Sequence, residues 1–256
     1  MDLRPMRPRA LILLLTVARF LALPSLGAPP ALLNQAVQTL IADQDHWAYT
    51  QTTQRFDKDG KPMAGATIEC YDPSRPFNDQ WRLVSYQGRL PTDSDVAAWR
   101  RQKLKQIKLH DEQALGNFLD LERATLATES ATQATYLVPL RKDAPSKRFP
   151  ADKLQVFMDV DKTNHYLTGF SVQPRDSFRV DMLLKVEAGR VDGRLDTVQP
   201  NYAPTLVWLK GAGSGHLCGL IKVGRGAELT YSDFRRVRPY NGRFGVKIGD
   251  LKALDF

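Results

Sequence analysis

Only two cysteines, Cys70 and Cys218, and four histidines occur in 256 residues. That scarcity excludes a cysteine-rich zinc or iron–sulfur fold and the small scaffolds stapled by several disulfides. His46, His110, His165 and His216 are scattered, with no pair at ligand spacing, so neither a metal nor a cofactor is expected. No apolar run after the first 28 residues approaches the ~20 needed to cross a bilayer. No Gly/Ser/Pro linker divides the chain and no repeat of fixed period runs through it. Glu122, Glu129 and Glu187 stand singly, and nothing in the spacing nominates a general acid–base pair. Gly211-Ala212-Gly213-Ser214-Gly215-His216 resembles a nucleophile elbow only on the surface. The glycine required two residues before the serine is replaced by Ala212, and a strand-like run, not a helix, follows. With no catalytic constellation, the chain reads as a non-enzyme.

What is present begins with an export signal. Arg4, Arg7 and Arg9 precede a short apolar core at Ala10–Ala18, and Ser25 and Gly27 supply small residues for cleavage after Gly27. Arg19 interrupts a run already too short for a membrane anchor. No cysteine lies near the cut, which argues against a lipid-modified N-terminus. Residues 1–27 are thus expected to be a signal peptide and 28–256 a single domain, with no transmembrane anchor after cleavage. The leader carries four Arg and one Asp, so the net charge of +8 falls to +5 in the mature chain. That is too little excess charge to argue for nucleic acid.

Residues 31–43 place Leu32, Leu33, Ala36, Val37, Leu40 and Ile41 on one face of an amphipathic helix. The period then changes to two. Trp47–Phe56 alternates and runs into the turn signal Asp57-Lys58-Asp59-Gly60, followed by strands at Ala66–Tyr71 and Gln80–Tyr86. Thr92 caps a second helix, acidic in its first turn and basic afterwards, as the helix dipole favours. Val96, Trp99, Leu104 and Ile107 are its expected seam against a sheet. Leu115–Leu126 fits a short helix or a covering loop. Beyond it, strands are expected at 135–140, 154–159, 166–173, 178–187, 190–198, 205–209, 216–223 and 228–238, with joints at Ala188-Gly189 and Gly224-Arg225-Gly226. About ten or eleven antiparallel strands are too many to stay flat. The expected fold class is therefore α+β: one strongly curved antiparallel sheet with two or three helices covering its concave face.

This order of elements resembles the bacterial lipoprotein carriers LolA and LolB, whose fold is an unclosed antiparallel β-barrel with helices over the opening. Tyr71-Asp72-Pro73-Ser74-Arg75-Pro76, Trp81-Arg82-Leu83, Gly88–Thr92 and Tyr231-Ser232-Asp233-Phe234-Arg235-Arg236-Val237 are also similar to a group of uncharacterised exported proteobacterial proteins. The resemblance implies a periplasmic location and a lipid-sized apolar cavity. It does not imply lipoprotein carriage, because the same architecture also serves sensory domains.

Strand aromatics and one leucine are the cavity candidates: Trp47, Tyr49, Trp81, Leu83, Phe157, Phe170 and Trp208. Most aromatics on strands are ordinary core, and the two uses separate only on how completely the helices fill the concavity. Cys70 and Cys218 are read as a possible disulfide of an exported protein. An unpaired thiol, or a soft metal site shared with His216, is the alternative. The expected partner is a lipid or other hydrophobic small molecule. An envelope protein bound through a sheet edge or the basic helix is the competing expectation.

Overall fold

The computed structural model describes residues 30–111, 118–141, 151–179, 184–217 and 221–240. Helix α1 (Ala31–Asp43) leads through a single 3-10 turn into strands β1 (Trp47–Phe56), β2 (Thr67–Tyr71) and β3 (Trp81–Ser85). Helix α2 (Asp93–Asp111) follows, and then β4 (Thr125–Glu129), β5 (Gln133–Val138), β6 (Leu154–Asp161), β7 (Tyr166–Pro174), β8 (Phe178–Arg179), β9 (Leu184–Asp196), β10 (Thr205–Leu217) and β11 (Ile221–Arg236). All eleven strands belong to one antiparallel sheet in the order β3-β2-β1-β11-β10-β9-β7-β6-β5-β4, with β8 paired to β9. The ends of that path, β3 and β4, are not paired to each other, so the sheet is unclosed. The first three strands join the rest through the β1–β11 ladder, Trp47↔Arg236 to Phe56↔Gly226. Between β3 and β4 the chain passes from one edge of the sheet to the other, and α2 lies on that crossing.

Register shows which side chains share a face, because residues directly opposite in a ladder point the same way. One row runs Tyr136–Met158–Phe170–Gly193–Leu209–Leu229–Thr53–Thr67 across eight strands. Met158 and Phe170 meet α1 in the main apolar core, where Leu33, Ala36 and Val37 are buried with Tyr136, Val138, Val156, Val160, Leu167 and Leu195. Two residues along β1 and β2 from the other end of the row, Gln51 and Glu69 face α2. Both helices therefore cover the same face.

The sequence expectations for α1 and for β1–β3 agree with the structure to within a residue or two. Three other expectations need correction. Ala188-Gly189 does not separate two strands but lies inside β9, which runs unbroken for 13 residues. Gly211, Gly213 and Gly215 likewise lie within β10, and Gly224 and Gly226 within β11. None of these glycines makes a turn, and close approach requires one of them: a Cβ on Gly215 would stand 2.0 Å from the Lys185 carbonyl, just as one on Gly193, also inside β9, would stand 2.3 Å from the Phe170 ring. Third, part of the ambiguous stretch 115–126 belongs to neither expected form. Leu121–Arg123 is a 3-10 turn, and β4 begins at Thr125 as an exposed edge strand.

Candidate functional site

From the region under α1 to the region under α2, the helix-bearing face carries a band of half-buried apolar side chains: Phe170, Val191, Leu209, Leu229 and Tyr231. Strand alternation places them there. Leu209 and Leu229 are directly paired, Val191 is opposite Val172 and Tyr231 is opposite Gln51. Phe170 lies over Gly193, so its ring occupies the space that a side chain on β9 would otherwise take.

At the α2 end the face becomes aromatic. The Tyr49 ring is surrounded by Tyr71 at 5.2 Å, Tyr231 at 5.3 Å, Phe234 at 6.0 Å and Trp81 at 6.1 Å. Simple alternation would put Phe234 on the opposite face from Tyr231. A bulge in the β1–β11 ladder, with Asp233 at φ 54°, supplies the extra residue that brings both rings to Tyr49. Burial, reinforced by the neighbouring tyrosines, holds the Tyr49 hydroxyl well above the usual phenol range. Burial and the Glu69 charge push Tyr231 up to about 12. Both are neutral hydroxyls at any ordinary pH.

Among the described residues, Glu69 is the one buried carboxylate in this face, at 6% exposure. It accepts hydrogen bonds from Gln51 Nε2 (2.8 Å) and Trp99 Nε1, and its Oε1 lies 2.9 Å from Lys103 Nζ. The Lys103 ammonium also sits 3.6 Å from the centre of the Trp81 ring. Burial lowers the Lys103 pKa, and the Glu69 charge opposes the shift. So α2 is fastened to β1–β3 by a satisfied ion pair, two indoles and an amide. Its N-terminus is fixed separately by a capping box: Asp95 N–H donates to Thr92 Oγ1, while Thr92 N–H donates to Asp95 Oδ2 at 2.8 Å. Arg89 grips the same carboxylate with two hydrogen bonds, at 2.7 and 3.1 Å.

Of the cavity candidates, Trp47, Tyr49, Trp81, Leu83 and Phe170 are brought together on the helix-bearing face. Trp47 is buried by Tyr202, Phe234 and the Arg236 guanidinium, and Leu83 is opposite Glu69. Phe157 and Trp208 are not part of that face. Phe157 is opposite Ser171 and one residue out of phase with Met158; Trp208 is opposite Thr230, out of phase with Leu209. Trp208 Nε1 instead donates to Glu228 Oε1 on the other side of the sheet. In α2 the seam is Val96, Trp99 and Lys103, the helical spacing displaced from the expected one. Leu104 is 36% exposed, and the Ile107 side chain lies outside the described residues.

Cys70 is a free thiol beside Thr50 and Arg82, so the expected bridge is not formed; Cys218 lies outside the described residues. Registry gives the reason. Cys70 is opposite Thr50 and hence Ser232, whereas Leu217 is opposite Ile221, eleven residues back along β11. At about 3.3 Å per residue that is roughly 36 Å of strand, against the ~7 Å limit between bridged Cα atoms. Ser214 sits mid-strand in β10, and His216 pairs with the Glu187 carboxylate at 3.0 Å.

Glu69, Lys103, Gln51 and Tyr231 were not legible as a group in the sequence. The only available signal was the phase of Glu69 with Tyr71 on an otherwise strand-like run. Its lysine partner lies on a separate helix, 34 residues on.

No family model matches this sequence. No curated protein matches it either. Among solved structures, the chain is similar to a LolA-superfamily protein from Nitrosomonas europaea, at 13% identity and a TM-score of 0.38, over 86% of this chain and 98% of that one. It is also similar to a DUF1329-family protein from Desulfovibrio piger, at 12% identity and a TM-score of 0.34, over 82% and 94% of the respective chains.

Proposed function

We propose that this chain is an exported, periplasmic, non-enzymatic binding protein that holds a lipid or another hydrophobic ligand against the helix-bearing face of a half-barrel. The observation that carries this reading is the half-buried band Phe170, Val191, Leu209, Leu229 and Tyr231, which runs from the end of the sheet covered by α1 to the end covered by α2. An acyl chain laid along it would bury the apolar surface that these half-buried side chains still expose, at about 25 cal/mol per Å². The aromatic cluster under α2 gives the band a wall of rings, with neutral hydroxyls for a ligand's polar end.

Native mass spectrometry of protein taken directly from its compartment tests the proposal. A ligand-bearing mass is expected, together with saturable uptake of a fluorescent fatty acid by the delipidated protein. Leu209→Gln with Leu229→Gln should abolish that uptake while leaving the fold intact by circular dichroism. A homogeneous apo mass with no dye uptake would overturn it.

A further inference from the structure

The four sequence patterns noted above do not all serve the helix-bearing face. Asp72, Arg75, Arg82, Asp233 and Arg235 converge on the opposite face, where they line an open pocket of about 200 Å³. Thr50, Cys70 and Arg82, mutually opposite on β1, β2 and β3, form its floor. The β2–β3 connection forms one wall and is closed by a hydrogen bond from Asp72 N–H to the Gln80 carbonyl. The chain after β11 is tied to that wall through Tyr240 N–H to the Pro73 carbonyl.

The chemistry of the lining is uneven. Asp72 is saturated: Oδ1 accepts from the Ser74 amide and hydroxyl, and Oδ2 accepts from Arg235 at 3.0 Å and lies 3.5 Å from Arg75 Nε. Each guanidinium carries five N–H donors, so Arg75 and Arg235 spend only part of theirs on it. Their side chains remain 60% and 65% exposed. Arg82 has for its described partner only the Cys70 sulfur, at 4.0 Å. Spare donors from three guanidiniums thus face a pocket whose central carboxylate is already occupied. Two further acidic residues, Asp79 and Asp233, line the pocket, and Asp233 Oδ2 already accepts from Ser232 Oγ at 3.1 Å. A simple anion would satisfy the arginines and meet repulsion from these acids. A molecule with a donor beside its carboxylate would satisfy both.

We infer that this pocket binds a small α-hydroxy or α-amino carboxylate, its carboxylate on Arg82 and Arg235 and its hydroxyl or ammonium toward Asp79 and Asp233. The volume is ample for such a molecule, since a single water needs only about 10–15 Å³ of such space. The site is separate from the apolar band, and its occupancy does not depend on whether that band holds a lipid.

Cys70 supplies a local reporter. Alkylation of Cys70 by iodoacetamide, followed by peptide mapping of the purified protein, is measured against rising lactate or glycine at constant ionic strength. One or both should slow it saturably, and sodium chloride at matched concentration should not. Arg82→Gln and Arg235→Gln should each raise the half-protecting concentration at least about tenfold, the loss expected for one hydrogen bond to a charged group. Leu229→Gln, on the other face, should leave it unchanged. Absence of protection, equal protection by chloride, or an unshifted midpoint in both arginine variants would overturn the site.

Discussion

The two helices lie on the same face of one sheet, yet they are held by opposite kinds of chemistry. Helix α1 presses Leu33, Ala36 and Val37, each no more than 1% exposed, into an aliphatic core on β5–β7 and β9. Helix α2 presents a basic surface, leaves Leu104 36% exposed, and reaches β1–β3 through Trp99 and Lys103 on one buried carboxylate. The first attachment is spread over many dispersion contacts and has no single critical atom. The second is concentrated in a few directional bonds, where removing one partner leaves another buried and unpaired. In consequence the α1 end should behave as part of the global folding unit. The α2 end should be able to open on its own.

The strongest test of that contrast is Leu33→Ala. It should cost about 2–5 kcal/mol of global stability in urea denaturation, the range for a large-to-small change in a packed core. Lys103→Ala should cost less, about 1–3 kcal/mol, because Gln51 and Trp99 still serve Glu69. Its signature in hydrogen exchange should be loss of protection in α2 without loss in β6 and β7. Equal deprotection of both regions would erase the distinction drawn here. Lys103→Met combined with Glu69→Leu should recover only part of the loss, since an apolar pair can replace a buried ion pair but leaves Gln51 Nε2 and Trp99 Nε1 without their acceptor. Thr92→Ala, which removes the cap of α2, should cost about 1 kcal/mol and again be confined to α2.

The smallest effect concerns pH at the junctions flanking the two regions. Asp43 is pushed up by burial, but hydrogen bonds from Arg236 and Trp47 more than offset this and hold its pKa low. Asp72 is raised by burial and lowered further by Ser74 and Arg235. Both carboxyls therefore bind protons less readily in the folded chain than in the unfolded one. Their contribution is complete well above the unfolded carboxyl pKa of about 3.9 and is lost as pH falls through the lower folded values. Urea midpoints taken from pH 6 to pH 3 should decline, and the Asp43→Asn and Asp72→Asn variants should decline less steeply. A parallel decline in wild type and both variants would remove these carboxyls as the cause.

Legibility differed between the same two regions. The face of α1 followed from its 3.6-residue period, and every residue expected there lies in the core cluster or packs against it. The cap at Thr92 was equally local. In α2 the expected seam keeps Val96 and Trp99 but departs at Leu104, because an apolar pattern cannot show that the residue going inward is Lys103. Its stem and charge are accommodated only because Trp81 and Glu69 wait on the sheet. Glycine was misread for a related reason. A glycine signals freedom from Cβ, and whether that freedom makes a turn or admits a neighbouring strand depends on what lies opposite.

Taken by itself, the sequence determined the alternation of β1–β3 and β5–β7, the apolar stripe of α1, the cap and charge order of α2, and the division into a helix followed by sheet. All of these are set by interactions within a few residues, which periodicity and capping record directly. Tertiary structure alone decided which phase of each strand faces the helices, and so sent Phe157 and Trp208 to one side and Phe170 and Leu209 to the other. It also decided that a bulge at Asp233 would gather Tyr231 and Phe234 around Tyr49, and that Glu69 would meet Lys103. Alternation fixes faces only relative to one another. The absolute choice comes from registry between strands far apart in the chain, and a one-residue slip in that registry exchanges the two faces.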